Sequence, residues 1–385
     1  MEYPVRVLHF VRKMSYGGIE TYIMNLYRNI NRNKIQFDFL VNDEGTFDEE
    51  IKTLGGKIYN LPHLGTVNAH TYTKNLDNFF KEHKEYQIVH SHYGQVTGII
   101  LEVAKKNNVK IRIAHSHSIK IPKVNILVTL YKRYLQTKIL RNSNLLLSCS
   151  EEASKFLYKK KYKDAIILKN GISTERFIFN NGYRTLLRKD LKIDEKTTVI
   201  GNVGRFEHPK NHSFLIDIFY EYQLKNKDSK LILFGVGTLL DIIKNKVKEL
   251  GIEDKVIFMG AIKEVNRFYS VMDIFLFPSI HEGLGIALVE AQTNGLPCYA
   301  SDSIPKEANP TGRVKFISLK ENSKCWANIL LNAKNKRYDA LNKIILEGYD
   351  IKDVANKLQK IYLKNINKEK WYENKCSVFD RWKLR

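Results

Sequence analysis

Cysteine is scarce in this chain of 385 residues. There are four, Cys149, Cys298, Cys325 and Cys376, scattered and without a C-x-x-C pair. That excludes a disulfide scaffold and a cysteine-based structural zinc site, and it fits a reducing compartment. Apolar runs long enough to span a bilayer are missing, and so is the layout of a signal peptide, so the expectation is a cytoplasmic protein. No G-x-G-x-x-G occurs, which removes the dinucleotide fingerprint. Acidic residues are outnumbered, 41 Asp and Glu against 63 Lys and Arg, for a net charge of +22. Between Val103 and Ser150 there is no Asp or Glu at all, against ten Lys or Arg. A charge of that size asks for an acidic partner: nucleic acid, an anionic membrane or a phosphorylated ligand.

What is present reads as an α/β protein. Hydrophobic residues make up 43% and charged residues 27%, ordinary for a globular chain, and the length suggests two domains. Strand patterns fall at Val5–Val11, Gln36–Val41, Lys57–Asn60, Gln87–Ser91, Ile111–His115 and Leu145–Cys149, with helical patterns at Ile19–Asn31, Asn68–His83, Gln95–Lys106 and Val124–Asn142. Strands alternating with helices at this spacing predict a doubly wound parallel sheet with all strand C-terminal ends on one edge, where ligands bind. After a linker over Lys169–Asn180 the pattern repeats. Strands are expected at Thr198–Val203, Leu231–Phe234, Lys255–Phe258, Ile274–Phe277, Pro297–Ala300 and Val314–Ile317, and helices at Ser213–Leu224, Leu239–Leu250 and Glu264–Val271. The expected organisation is a first Rossmann-like domain over residues 1–180, a second over 181–348, and a segment over 349–385 with helical periodicity at Ile351–Leu363 and a basic tail.

The stretch Phe275–Asp302 carries the most chemistry. An apolar strand stops at Pro278; Glu282, Gly283, Leu284 and Gly285 follow; a helix runs from Ile286 to Asn294, and Gly295 and Pro297 close it. A strand, a glycine turn and a helix start aim backbone N–H groups at an anion. Glu282 and Glu290 have seven residues between them. If that interval is mostly helical they stand roughly 12 Å apart, too far to share one bond but suited to opposite ends of a long ligand. A second motif, G-R-F-E-H-P-K-N over Gly204–Asn211, follows a strand end and offers Arg205 as a planar fork and Lys210 as a compact charge, both suited to a diphosphate. Further strand-to-glycine turns occur at Gly235 and Gly260, and Gly17-Gly18 leads from the first strand into a helix. Each reads equally as a ligand approach or as a tight turn.

E-G-L-G-I-A-L-V-E resembles the E-x7-E signature of family 4 glycosyltransferases, and much of the chain resembles the branch that builds bacterial capsular polysaccharides and exopolysaccharides. The resemblance implies the GT-B fold, two Rossmann-like domains facing across a cleft, and a retaining transfer from a nucleotide sugar, with UDP the expected nucleotide. It implies that Glu282 contacts donor-sugar hydroxyls, Glu290 the ribose, and Arg205 and Lys210 the diphosphate. It places main-chain groups such as those at Gly204, Gly235 and Gly260 near the nucleotide, and the Gly17-Gly18 loop at the cleft. With no D-x-D at a strand end and no cofactor motif, the expectation is a metal-independent enzyme without a cofactor.

Two features stay open at this level. The histidines of I-V-H-S-H (His90, His92) and I-A-H-S-H (His115, His117) end two neighbouring strands. H-x-H pairs can bind metal, but no third carboxylate or cysteine ligand is evident, so no metal is assigned. The resemblance puts a histidine beside the donor sugar, with His115 the first choice and His117 the second; His92 is a further candidate on the acceptor side. The basic block includes Lys120, Lys123, Lys132, Arg133, Lys138 and Arg141, interleaved with Ile126, Leu127, Leu130, Tyr131, Leu135 and Ile139, and Lys159, Lys160, Lys161 and Lys163 extend it. It reads either as a helix packing its apolar side on the core or as a face that lies on an anionic inner leaflet. A lipid-linked saccharide acceptor would give those cations a task, and no nucleic-acid partner is expected. The competing functions are a nucleotide-sugar epimerase on similar domains and a basic nucleic-acid-binding protein. The latter lacks an aromatic stacking module or a recognisable motif.

Overall fold

The structure is a computed structural model that describes residues 4–117, 126–332 and 336–383, with side chains described as far as residue 367. It divides into two compact units, residues 1–171 together with 351–385, and residues 172–350. The first boundary therefore falls at Gly171, ahead of the Asn180 expected. Ile172 already belongs to the second unit, where its N–H donates to the Tyr349 carbonyl at 2.8 Å.

The first unit is built on seven parallel strands in the order β3-β2-β1-β4-β5-β6-β7. These are β1 Val5–Phe10, β2 Ile35–Val41, β3 Ile58–Asn60, β4 Ile88–Ser91, β5 Ile111–Ser116, β6 Leu145–Ser148 and β7 Ile166–Ile167. Helices cover both faces, so central strands are buried from end to end, as β2 is. Two polar residues in β2 are tolerated because each is partnered. Asp38 accepts from the Arg6 guanidinium at 2.5 Å, from Tyr86 Oη at 2.8 Å and from the Lys57 N–H at 2.7 Å. Gln36 accepts from Tyr27 Oη at 2.5 Å. β7, two residues long, was not legible in the sequence, and neither were the helices Asp48–Thr53 and Glu151–Tyr158. Their apolar patterns are too short to show a period.

The last helix, Ile351–Lys383, belongs to this first unit and runs well past the Leu363 at which the apolar period fades. Ile351, Val354, Ala355, Leu358, Tyr362 and Ile366 are buried in the same core as β1, β2 and the helix Gly18–Asn29. Three- and four-residue steps place all six on one stripe. Trp371, Phe379 and Trp382 lie outside the described side chains.

The second unit has six parallel strands in the order β10-β9-β8-β11-β12-β13: β8 Thr198–Val203, β9 Ser229–Phe234, β10 Val256–Gly260, β11 Ile274–Phe277, β12 Cys298–Ser301 and β13 Lys315–Ile317. The helix expected over Glu264–Val271 is confined to Val265–Phe268. Helices Asn181–Asp190 and Ser323–Leu331 were not anticipated. Inside the first of them, Arg188 is buried and held by carbonyls of Val271, Asp194 and Thr197 and by the Asp273 carboxylate at 2.6 Å. A guanidinium in a helix of high polarity gives no sequence signal that it will be the buried one.

Leu358 is fully buried on the last helix. Leu358→Ala is expected to cost roughly 2–5 kcal/mol, read as a lower urea midpoint with unchanged slope.

Candidate functional site

In a doubly wound sheet the strand order reverses at one place, and the loops leaving the two strands there part to open a crevice. In the second unit that place lies between β8 and β11, which pair through Ile200↔Ile274 and Gly201↔Phe275. The loop after β8 carries Gly204, Arg205 and Lys210; the loop after β11 carries Glu282. Motifs read separately in the sequence are therefore neighbours in space. Three contacts join the loops. The Ile280 N–H donates to the Pro209 carbonyl at 2.8 Å. Asn211 Nδ2 donates to the Pro278 carbonyl at 3.1 Å. Lys210 Nζ donates to Glu282 Oε1 at 2.6 Å. The Lys210 ammonium also lies over the Phe277 ring, 5.2 Å from its centroid. Arg205 is exposed on the same loop.

Gly204, Gly235 and Gly260 come together at the ends of β8, β9 and β10. The Gly204 N–H donates to the Phe234 carbonyl at 2.9 Å and the Gly235 N–H to the Gly260 carbonyl at 2.8 Å. Gly235 has φ +136°, and a Cβ there would lie 2.1 Å from the Gly204 carbonyl oxygen, so only glycine lets these turns close on each other. The sequence missed two supports of this site. Asn211 takes a left-handed conformation at φ 57° to start the next helix. His212 stacks on Phe206 at 4.1 Å, and burial pushes its pKa down to about 4.

The helix Ile286–Thr293 begins after Gly285, at φ +86°. The Glu282–Glu290 interval is therefore helical only from Ile286 on, and a separation counted along a helix axis over its whole length does not apply. Gly283 and Leu284 form the turn between them. Glu282 is 9% exposed, with its carboxylate held by Lys210. Glu290 points elsewhere: its carboxyl accepts from Tyr269 Oη at 2.7 Å. Burial pushes its pKa up to about 7, with the Tyr269 hydrogen bond acting in the opposite sense.

In the first unit the corresponding reversal lies between β1 and β4. Gly17 is the N-cap of the helix Gly18–Asn29, and nothing would crowd a Cβ at Gly18. Beside it the four histidines gather with a fifth, His9 of β1, which sequence reading passed over because it stands alone. Nδ1 of His9 and Nε2 of His92 share a hydrogen bond of 3.1 Å, His92 Nδ1 and His117 Nε2 one of 2.9 Å, and His90 Nε2 and His115 Nδ1 one of 3.0 Å. His90 Nδ1 meets Tyr362 Oη at 2.6 Å. His115, first choice for a donor contact, is 1% exposed, whereas His117 is half-buried at the rim. Burial lowers the pKa of all five, to about 3 for His9 and for His117. Each H-x-H pair has a third imidazole nitrogen within 4.8 Å, from His9 beside His90 and His92 and from His92 beside His115 and His117.

The helix Ile126–Asn142 is buried toward its C-terminal end and exposed over its first turns. Leu135 and Ile139 are core residues, but Ile126 and Leu127 are 69% and 70% exposed, and Val128, Leu130, Tyr131 and Tyr134 are exposed with them. Arg133 and Lys159, Lys160, Lys161 and Lys163 are exposed in the same unit, while Lys138 pairs with Glu102 at 2.7 Å. Lys120 and Lys123 lie outside the described residues. No described helix is long and apolar enough to cross a membrane.

Comparison with known proteins agrees with this architecture. Residues 16–176 match the family described as Glycosyltransferase Family 4 and residues 184–309 that described as Glycosyl transferases group 1. A Bacillus subtilis (strain 168) protein named as a glycosyltransferase, EpsF, is 33% identical over 380 residues, covering 95% of this chain and 97% of that protein. The capsular polysaccharide biosynthesis glycosyltransferase CapH of Staphylococcus aureus is 24% identical, covering 93% and 99%. An Escherichia coli UDP-Gal:α-D-GlcNAc-diphosphoundecaprenol α-1,3-galactosyltransferase is 25% identical, covering 60% and 62%. Among solved structures, Anabaena HepE in complex with UDP superposes with a TM-score of 0.77 at 15% identity, covering 93% of this chain and all of that one. That likeness establishes the two-domain GT-B fold.

The Glu290 carboxyl gives a pH prediction. In the unfolded chain it ionises from about pH 4.5; in the folded protein it holds its proton to about 7. Stability from this group is therefore present below about pH 4.5 and lost as pH rises to about 7, a change of about 3 kcal/mol. Glu290→Gln is expected to gain up to that amount relative to the native protein between about pH 5 and pH 8. Urea unfolding of both at the two pH values checks it; an unchanged difference would refute the assignment.

Proposed function

This chain belongs to glycosyltransferase family 4, and on that premise we propose that it moves a sugar, with retention of anomeric configuration, from a nucleotide diphosphate sugar to a lipid-linked saccharide during capsular or exopolysaccharide synthesis. The observation that carries the reading is the Lys210–Glu282 contact of 2.6 Å at the reversal point of the second sheet. An incoming diphosphate offers Lys210 a stronger anionic partner than one carboxylate does. Lys210 turns to it, and the exposed Arg205 closes on it with a bidentate fork. The N-terminus of the helix Ile286–Thr293 adds its dipole to the departing charge. Glu282, released from Lys210, accepts from donor-sugar hydroxyls. With Glu282 engaged by donor-sugar hydroxyls and no other nucleophile evident among the described residues of this loop pair, the reading is that departure of the diphosphate and attack by the acceptor take place on the same face of the sugar. Lys210, Arg205 and the helix terminus supply the positive charge that the leaving group needs.

UDP is the expected nucleotide, in keeping with the UDP bound to HepE. The lipid-linked acceptor follows the diphosphoundecaprenol substrate in the name of the Escherichia coli relative. A bilayer-bound acceptor also accounts for a helix that turns Ile126, Leu127 and Leu130 outward beside basic residues. A face of that kind inserts its apolar side among acyl chains while its cations meet anionic headgroups, which supports a position at the inner face of the plasma membrane.

Lys210→Ala and Glu282→Gln are each expected to lower transfer by about a hundredfold or more, with melting temperatures near the native value and with no response of native turnover to added Mg²⁺ or Mn²⁺. Turnover is measured by nucleotide release after a thermal-shift screen of UDP-, GDP- and ADP-sugars, and retention by the anomeric coupling of the product. Native rates in both variants would overturn the site. Separately, the protein is expected to co-sediment with vesicles containing phosphatidylglycerol and not with neutral ones, and Leu127→Glu to abolish this. Equal binding to both vesicle types would sink the membrane reading without touching the donor site.

A further inference from the structure

His9, His90, His92, His115 and His117 stand at positions where the neighbouring strands carry Val, Ile and Phe. Register explains the gathering. His9 pairs with His90 across β1 and β4, and His115 lies two residues beyond Ile113, the partner of His90. Residues two apart on a strand share a face, so the imidazoles form one continuous layer within the core that Tyr362 and Tyr22 also line. Rings in that layer stack, His115 on His117 at 4.1 Å and His90 on His92 at 4.3 Å between centroids.

A core does not need five imidazoles, and this one leaves polar atoms unsatisfied. His9 Nε2 and His115 Nε2 are buried without a hydrogen-bond partner among the described residues, whereas the His117 ring is partnered by the Asn170 side chain. A buried ring nitrogen left in this state is destabilising unless something fills it. The pattern of satisfied atoms is informative. His115 uses Nδ1 toward His90, which is itself held by Tyr362, and this leaves Nε2 as the lone pair. His92 uses Nε2 toward His9, leaving Nδ1, which faces His117 Nε2 at 2.9 Å. One ring nitrogen anchored and the other turned to the ion is the arrangement in which protein histidines ligate metal; His115 shows it directly, and in His92 and His117 an ion would replace the hydrogen bond that the two rings share. Two nitrogens bound to one ion by bonds of about 2.1 Å at roughly 90–109° stand about 3.0–3.4 Å apart, close to the 2.9 Å seen here. One ligand nitrogen from each of His92, His115 and His117 falls within 4.8 Å of the others.

We propose that His92, His115 and His117 form a binding site for a divalent transition-metal ion of the zinc class, with His9 and His90 orienting the ligand rings from behind. An all-imidazole donor set suits zinc, copper, nickel or cobalt and not magnesium or calcium, which prefer oxygen. The second triad, His9, His90 and His92, is the weaker candidate because His9 and His90 are fully enclosed and spend nitrogens on orienting the others. His117 is only partly buried, so the first triad has one less enclosed member. The ion sits in the first unit, whereas the donor diphosphate is assigned to Arg205 and Lys210 in the second, so the proposal does not depend on the mechanism above.

The test uses the full-length chain purified without a polyhistidine tag. Metal content by plasma mass spectrometry, and titration of the chelator-treated protein with Zn²⁺ and Co²⁺, are expected to give about one equivalent per chain. The cobalt form should show visible d–d bands, and X-ray absorption of the zinc form nitrogen neighbours at about 2.0–2.1 Å. Zn²⁺ should raise the melting temperature and Mg²⁺ should not. His92→Gln is expected to abolish uptake, while His70→Gln, on the exposed side of the helix Ala69–Glu82, keeps it. The measurements on the native protein stand even if His92→Gln fails to fold. Less than about a tenth of an equivalent of Zn²⁺ taken up by the native chain, or equal uptake by a folded His92→Gln variant, would overturn the site.

Discussion

An ammonium and a carboxylate 2.6 Å apart, 72 residues from each other in the chain, depend on one constraint: β8 must lie against β11. Right-handed winding of β-α units builds a sheet outward from its first strand and then crosses to the other side, and the crossing in this unit falls between those two strands. Everything else in the second site follows from that adjacency. The two loops are stitched by Ile280 to Pro209 and by Asn211 to Pro278. The glycines at the ends of β8, β9 and β10 close so tightly that a methyl group at Gly235 would strike backbone. A partly exposed ion pair of this kind adds little to stability; its value lies in holding a cation and an acid at one edge.

The first unit is wound in the same way and uses its reversal point differently. Where the second unit offers cations and glycines to an anion, the first presents neutral imidazoles, kept uncharged by burial. The last helix contributes to that layer directly. Tyr362, 272 residues from His90 in sequence, donates or accepts the hydrogen bond that sets the ring's orientation. The helix that supports the core of the unit thus also decides which nitrogens of the histidine layer remain open.

Much was legible in the sequence because the signals were periodic and local. Alternating apolar and helical stretches gave all but one of the strands within a residue or two, and the strand–glycine–helix texture of Phe275–Asp302 located Glu282 before any fold was known. Failures have physical causes. β7 and the helix Asp48–Thr53 span no more than one strand period and fewer than two helical turns, too little for a pattern to repeat. Arg188 is polar in composition yet buried by tertiary carbonyls. The Glu290 carboxyl accepts from Tyr269 Oη, a partner 21 residues away that no spacing rule reports.

Sequence alone determined that this is a two-part α/β chain with a nucleotide-sugar signature, since β and α periods, turn residues and motif spacing are properties of contiguous stretches. Only the tertiary structure decided which residues meet. Lys210 reaches Glu282, His9 joins four distant histidines, and Ile126 and Leu127 face outward rather than into the core. Strand order and register set those juxtapositions, and they arise from packing whole elements against one another, which leaves no mark on the local succession of residues.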